Sequence, residues 1–313
     1  MNFKKKFFIY FFVIFFCFNN LYSIENKILL KINDEIITSI DLYNEANYLL
    51  ALNKNLKNLE RKKFFEIAKK SLIKERIITK EILKYTKELS IKDQYLDQFI
   101  ELLYKKQKID SYQNFIDYLK NYNVSISYIK KKISTEIMWN DLIVSKFSNK
   151  IKIDYENIKN DLANNFSSKS KQYLLSEILF NVPDNSKIEE KIQQIENDIE
   201  NKGFKNTVLI HSISDSSLKN NGEIGWVDEN SLNIKIKNTL NNLVKEDHTK
   251  PLIVPGGFLI LKIDDIRIIE NKDFDLDKKI DETIKLKRNE QLNNYSNIYY
   301  NKIFKEYVIN EKL

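Results

Sequence analysis

Residues that interrupt secondary structure are scarce in this chain, and so are those that carry most site chemistry. Its 313 residues include one cysteine, two histidines, three prolines and five glycines. The lone cysteine, Cys17, excludes an intrachain disulfide and every cysteine-based metal cluster, and the widely separated His211 and His248 give no metal-ligand spacing. A phosphate loop is excluded as well, because Gly222 and Gly225 stand too close together and no Lys-Ser/Thr follows them. No cofactor, metal or nucleotide is therefore expected. The net charge of +7 falls to +4 once residues 1–23 are set aside, since they hold three lysines and no acid. Spread over so long a chain, that excess gives no argument for a nucleic-acid partner, which needs a clustered basic face.

What is present is a folding composition, 42% hydrophobic against 30% charged residues, with enough apolar material for a core at this length. Every glycine and proline lies between Pro183 and Gly257. The flanks on either side read as helix, so the chain divides into a helical segment, a turn-rich insert and a helical tail. In that arrangement the two flanks pack together and carry the insert on a stalk.

Residues 1–23 are of a different kind. Lys4, Lys5 and Lys6 precede an unbroken apolar run over residues 7–18, after which polarity returns. A run of that length suits a signal-peptide core, whereas a bilayer-spanning helix needs roughly 20 residues. Export with cleavage near Ser23 is the expectation. An uncleaved anchor is the alternative, because Leu21 stands where a small residue ordinarily precedes the cut.

The first flank opens with KILLKINDEIIT, a hairpin turning at Asn33, Asp34 and Glu35. Thr38 and Asp41 have capping-box spacing, and Ser90 and Asp93 repeat it. Helices are expected over 39–53, 60–89, 91–106, 112–121 and 126–148, the last with Ile126, Ile129, Ile133 and Ile137 on one buried face. Trp139 reads as a core or interdomain anchor. In the tail, Ile280, Ile284, Leu292, Tyr295, Tyr299 and Ile303 mark an amphipathic helix over 273–313. A helix of about 40 residues is too long for an independent element and requires a partner surface.

The insert begins with the strand YLLSEILFNV, and Ser186 and Glu189 have cap spacing ahead of a helix that Gly203 is placed to end. Then come GEIGWVDENSL as a tight turn, an amphipathic helix over 232–243, and KPLIVPGGFLILKI as two closing strands. Residues 222–263 resemble the C-terminal half of a parvulin-type peptidyl-prolyl cis-trans isomerase, in which a GDLGW-like turn precedes a helix and a GFHIIK-like strand. Upstream, KINDEIIT leading into a helix, followed later by KKISTEIMWNDLI, resembles the N-terminal domain of SurA-type periplasmic chaperones over about residues 25–150. The resemblance implies an α+β fold, a helical N-terminal chaperone domain completed by a C-terminal helix, with one inserted parvulin-like domain. The expected divisions are a signal peptide over 1–23, the helical domain over 24–150, a linker over 151–170, the parvulin-like domain over 171–269 and the terminal helix over 270–313.

An active parvulin pocket, as the family implies, joins a His on the first strand and a His on the last with a Cys or Asp on the central loop. A Met or Leu and a Phe then hold the proline. Those positions fall here on Glu177, Leu259, Asp215, Leu232 and Ile236, and only Asp215 and Leu232 keep a family residue type. Rotation about an X-Pro amide crosses roughly 18–20 kcal/mol, and a pocket lowers that barrier by gripping the twisted state. Without either imidazole this pocket is expected to be weak or inactive. Asp215 reads equally as a loop cap among Ser212, Ser214 and Ser216, Glu177 as a solvent-facing strand residue, and His211 and His248 as surface or structural residues.

The function the resemblance implies is that of a periplasmic holdase for unfolded outer-membrane or exported proteins, releasing its clients to the outer-membrane assembly machinery without nucleotide. The alternatives are an active cell-envelope isomerase, tethered if residues 7–18 are retained, and a structural adaptor that docks through its tail.

Overall fold

A computed structural model describes residues 26–164, 169–182, 184–214, 220–255, 257–270 and 275–311; the expected signal segment lies outside them. The chain starts with the antiparallel hairpin β1 (Ile28–Ile32) and β2 (Glu35–Thr38), paired Leu30 to Ile37 and Ile32 to Glu35. Asn33 takes a φ of 51° at the turn, a left-handed conformation that asparagine tolerates better than most residues. Thr38 caps α1 (Ser39–Leu52): its hydroxyl accepts from the Asp41 N–H, and the Asp41 carboxylate accepts from the Thr38 N–H. There follow α2 (Arg61–Leu83), α3 (Asp93–Lys106), α4 (Tyr112–Lys120), α5 (Ile126–Phe147) and α6 (Tyr155–Asn164).

The isoleucines of α5 behave as their period implies, with Ile129 and Ile133 buried and Ile126 and Ile137 packed on the same cluster. The second cap does not form. Lys92 is the N-cap of α3 without a side-chain bond, and the Asp93 carboxylate instead accepts from Lys130 Nζ on α5 at 2.8 Å. Residues 151–170, expected as a linker, contain α6, whose Ile158 and Leu162 pack on Ile280 of the tail.

A charged cluster joins α1, α2 and α5 inside the helical body. Lys132 Nζ lies between the carboxylates of Glu45 and Glu75, and Glu45 also accepts from Ser71 Oγ at 2.5 Å and Tyr128 Oη at 2.7 Å. Burial, and then the neighbouring Glu45 carboxylate, pushes the Tyr128 hydroxyl far above its ordinary pKa. Such a cluster leaves no periodic trace in sequence.

The tail returns to this body. Helix α10 (Leu276–Phe304) is shorter than the sequence pattern implies, because residues 309–311 leave it to form β7 (Ile309–Glu311) on the free edge of β1. Leu30 pairs with Glu311 and Ile32 with Ile309, giving a sheet of order β2-β1-β7. Trp139 of α5 stacks on Tyr299 at 5.7 Å and donates from Nε1 to Ser296 Oγ at 2.8 Å, while Phe147 lies flat on Tyr295 at 5.0 Å. Ile303 is buried with Leu30, Ile32, Ile77 and Trp139. Sequence-distant arms thus build one core. Among the described residues no helix is long and apolar enough to cross a membrane.

Between the arms the chain makes β3 (Lys169–Phe180), α7 (Ile188–Lys202), α8 (Phe204–His211), β4 (Glu223–Asp228), α9 (Ile234–Asn241), β5 (Leu252–Val254) and β6 (Gly257–Glu270). The four strands form an antiparallel sheet of order β4-β3-β6-β5. One face buries Ile178, Phe180 and Ile260 under α7 and α8, and the other buries Tyr173, Leu175, Leu261 and Ile263 under α9. Three local expectations are corrected. GEIGWV is the edge strand β4, since its residues pair with β3 along their length. Helix α8 occupies a stretch for which no element was expected, anchored by buried Phe204 and Val208. Ser186 bonds to Asp184, leaving Lys187 as the uncapped N-terminus of α7.

The insert is not held away on a stalk. Leu209 of α8 is buried in the same cluster as Leu56, Phe64 and Phe115 of the helical body, and Asn53 Nδ2 donates to Asn221 Oδ1 at 2.7 Å.

Candidate functional site

Glu177 lies on β3 directly opposite Leu261 of β6, so both side chains share the sheet face that α9 covers. The solvent-facing expectation for Glu177 is corrected: it is half-buried, and its Oε1 accepts from Ser214 Oγ at 2.7 Å. Its backbone is fixed as well, the N–H donating to Gly222 O at 2.8 Å. At that approach Gly222 has a φ of +79°, and a Cβ there would stand 2.4 Å from Glu177 O, so glycine is required on two counts.

Leu232 follows a short 3-10 turn over Glu229–Ser231, and Asn233 caps α9 by accepting the Ile236 N–H at 2.9 Å. That cap sets Ile236 in the first turn of the helix, facing the sheet. Leu259 lies on β6 between Leu179 of β3 and Leu252 of β5. Leu232, Ile236 and Leu259 all pack against the cluster formed by Tyr173, Leu175, Leu240, Leu261 and Ile263. Tyr173 Oη, which donates to Asn241 Oδ1 at 2.7 Å, ties α9 to the sheet.

Four of the five nominated residues therefore share one face of the insert, and Asp215 lies outside the described residues. Of the four, only Glu177 ionises. Their surface is a hydrocarbon floor with one carboxylate at its side, able to accept an apolar side chain and to take a hydrogen bond. It holds no imidazole pair to order a carbonyl.

His211 is on α8, which packs on the opposite sheet face. It is buried, with Nε2 2.7 Å from Asp198 Oδ2 and Nδ1 2.8 Å from Lys191 Nζ. Burial lowers its pKa below the usual histidine range, the Asp198 hydrogen bond opposes that, and the Lys191 charge adds to it. His248 forms an isolated bridge to Lys262 with its ring 6.3 Å from Phe204. Both are structural, and among the described residues no three acidic or histidine groups gather as metal ligands do.

The sequence pattern did not single out the outer side of α3. Its inner side buries Leu96 and Ile100, yet Tyr95, Phe99 and Leu102, at i, i+4 and i+7, are 57%, 45% and 66% exposed. The available signal was a surplus: α3 carries more apolar positions than a single buried stripe uses.

Comparison with known proteins assigns the insert. Residues 178–265 match the rotamase family described as the PPIC-type PPIASE domain. The chain is 24% identical over 191 residues to the chaperone SurA of Pseudomonas aeruginosa, a match covering 57% of this chain and 45% of that one. It is 23% identical over 188 residues to the chaperone SurA of Pseudomonas putida, covering 57% and 44%. The match thus spans just under half the length of these curated relatives. Among solved structures, a SurA-like chaperone of Campylobacter jejuni aligns over 92% of this chain and 99% of its own, with 17% identity and a TM-score of 0.35.

Proposed function

The chain carries a PPIC-type parvulin domain and is related to the SurA-type chaperones, and from that premise we propose that it holds unfolded exported proteins in the cell envelope, with a rotamase module of little or no turnover. One body is formed by residues 24–150 and 270–313, and the module comprises 171–269. The observation that carries the holding function is the apolar stripe of Tyr95, Phe99 and Leu102, open to solvent on a helix whose other side is already committed to the core. A contiguous exposed apolar strip on a helix is the kind of surface that marks a protein–protein contact site. Extended segments rich in large apolar side chains fit it, and outer-membrane proteins in transit supply them. Binding needs no nucleotide, and release to the outer-membrane assembly machinery is a matter of competing affinity.

The weak-rotamase reading rests on Glu177, Ile236 and Leu259. If losing both imidazoles removes about 3 kcal/mol of selective stabilisation, the rate falls roughly a hundredfold. Two assays test these readings. The protein, without ATP, suppresses aggregation of a denatured β-barrel protein, and Phe99→Asp with Leu102→Asp weakens that suppression; failure at several-fold molar excess refutes the holding function. In a protease-coupled proline-peptide assay, turnover at ordinary parvulin rates, lost on Asp215→Ala, refutes the inactive module and favours a foldase.

A further inference from the structure

Where the end of α5 meets α10, an open crevice of about 390 Å³ is lined by Lys146, Phe147, Lys150, Ile298, Tyr299 and Lys302. That volume falls in the range of small-ligand pockets, roughly 300–1,000 Å³. Its floor is hydrocarbon. Phe147 is held flat against Tyr295, Tyr299 is fixed by its stack on Trp139, and Ile298 is 49% exposed. Three lysines, Lys146, Lys150 and Lys302, stand among its lining residues.

None of the three lysines forms an ion pair with a carboxylate among the described residues. Lys146 Nζ instead lies 2.6 Å from Tyr85 Oη and 5.1 Å from the Tyr299 ring centre, and Lys150 Nζ is 5.4 Å from the Phe147 ring centre. The nearby Glu81 carboxylate is already taken by Lys84 Nζ at 2.6 Å and by Tyr299 Oη. The hydrogen bond from Lys146 holds the Tyr85 hydroxyl below its ordinary pKa, as expected beside uncompensated positive charge.

We propose that this crevice anchors unfolded polypeptide through an aromatic side chain flanked by carboxylates, the ring lying on Phe147, Ile298 and Tyr299 while the acids meet Lys146, Lys150 and Lys302. The inference rests on the reading that the chain binds unfolded clients, and it adds a preference to that reading. The α3 stripe offers apolar contact alone, whereas this crevice selects acidic-aromatic segments by complementary charge.

Fluorescence anisotropy on the full chain tests it, using a labelled peptide of alternating Asp and Phe and its counterpart with Asn for Asp. The acidic peptide binds more tightly. Its advantage shrinks as salt rises from about 0.01 to 0.15 M, where the screening length contracts from roughly 30 to 8 Å. Lys150→Glu with Lys302→Glu weakens the acidic peptide on the order of tenfold and leaves the Asn peptide unchanged. Both lysines are exposed, and an unaltered thermal midpoint verifies folding of the variant. Ile298→Asp, at the floor, weakens both peptides. Equal affinity for the two peptides, or indifference of the acidic peptide to the charge reversals, overturns the proposal. So does binding of phosphatidylglycerol vesicles through these lysines without any effect on peptide. Failure to suppress client aggregation, with the peptide results intact, overturns the holding function and leaves the anchor standing.

Discussion

Replacing Ile303 by alanine tests whether the returning tail is an integral part of the helical core. Ile303 is 3% exposed and packs with Leu30 and Ile32 of the first strand, Ile77 of α2 and Trp139 of α5. Alanine removes three carbons. At about 0.8 kcal/mol for each buried methylene the transfer loss is roughly 2.4 kcal/mol, and the unfilled volume adds a further cost within the 2–5 kcal/mol range for such truncations. A loss of about 3 kcal/mol is expected, which at a urea dependence of about 3 kcal/mol per M moves the midpoint by about 1 M.

The chain has two tryptophans, Trp139 in the helical core and Trp226 on β4 of the insert, so each reports a separate unit. In a Trp226→Phe background, Trp139 fluorescence shows the full shift. In a Trp139→Phe background, Trp226 shows a smaller one, because the insert meets the body chiefly through Leu209 and the Asn53–Asn221 bond. A Trp139 shift corresponding to less than about 1 kcal/mol would refute the single-core reasoning.

Further outcomes follow from the buried groups. Lys132→Met leaves the carboxylates of Glu45 and Glu75 without their ammonium and costs about 3–5 kcal/mol in denaturant unfolding; a loss under about 1 kcal/mol would mean the cluster is solvated. Because the folded His211 pKa lies below its ordinary 6.5, the unfolded chain binds more protons there in the intervening window. The contribution is therefore complete above pH 6.5 and is lost as pH falls below it, and His211→Gln flattens that part of the stability–pH profile. Gly222→Ala sets a Cβ 2.4 Å from Glu177 O at a φ of +79°. Strain of about 1–3 kcal/mol lowers the insert's midpoint as reported by Trp226, with the Trp139 transition little changed.

Much of the helical body was legible in advance because its signals are local. The Thr38–Asp41 box, the isoleucines of α5 and the breaker-free flanks each act within a few turns of chain, where geometry follows from residue type. The same logic misplaced the start of α3. Asp93 has the spacing of a cap but a stronger partner in Lys130, and a cation from another helix leaves no mark beside it in sequence. β4 was read as a turn because its glycines signal one; pairing along β3 overrides them. Sequence nominated Glu177, Leu232, Ile236 and Leu259 from three separate stretches of chain; the fold gathers the last three on one cluster, and only the cross-strand register turns Glu177 toward α9.

Sequence alone determined the identity of the parts: a breaker-free helical frame, an insert with parvulin-like strands and turns, and nominated pocket positions without imidazole. Tertiary structure alone decided how they meet. The tail ends as a strand on β1 because that edge has unpaired backbone groups to satisfy, and the insert rests on the body because Leu209 finds an apolar neighbour there. The lysines around Phe147, which meet no carboxylate among the described residues, and the exposed side of α3 likewise come into view only after the other partners have been assigned, since an unmet group is defined by its surroundings.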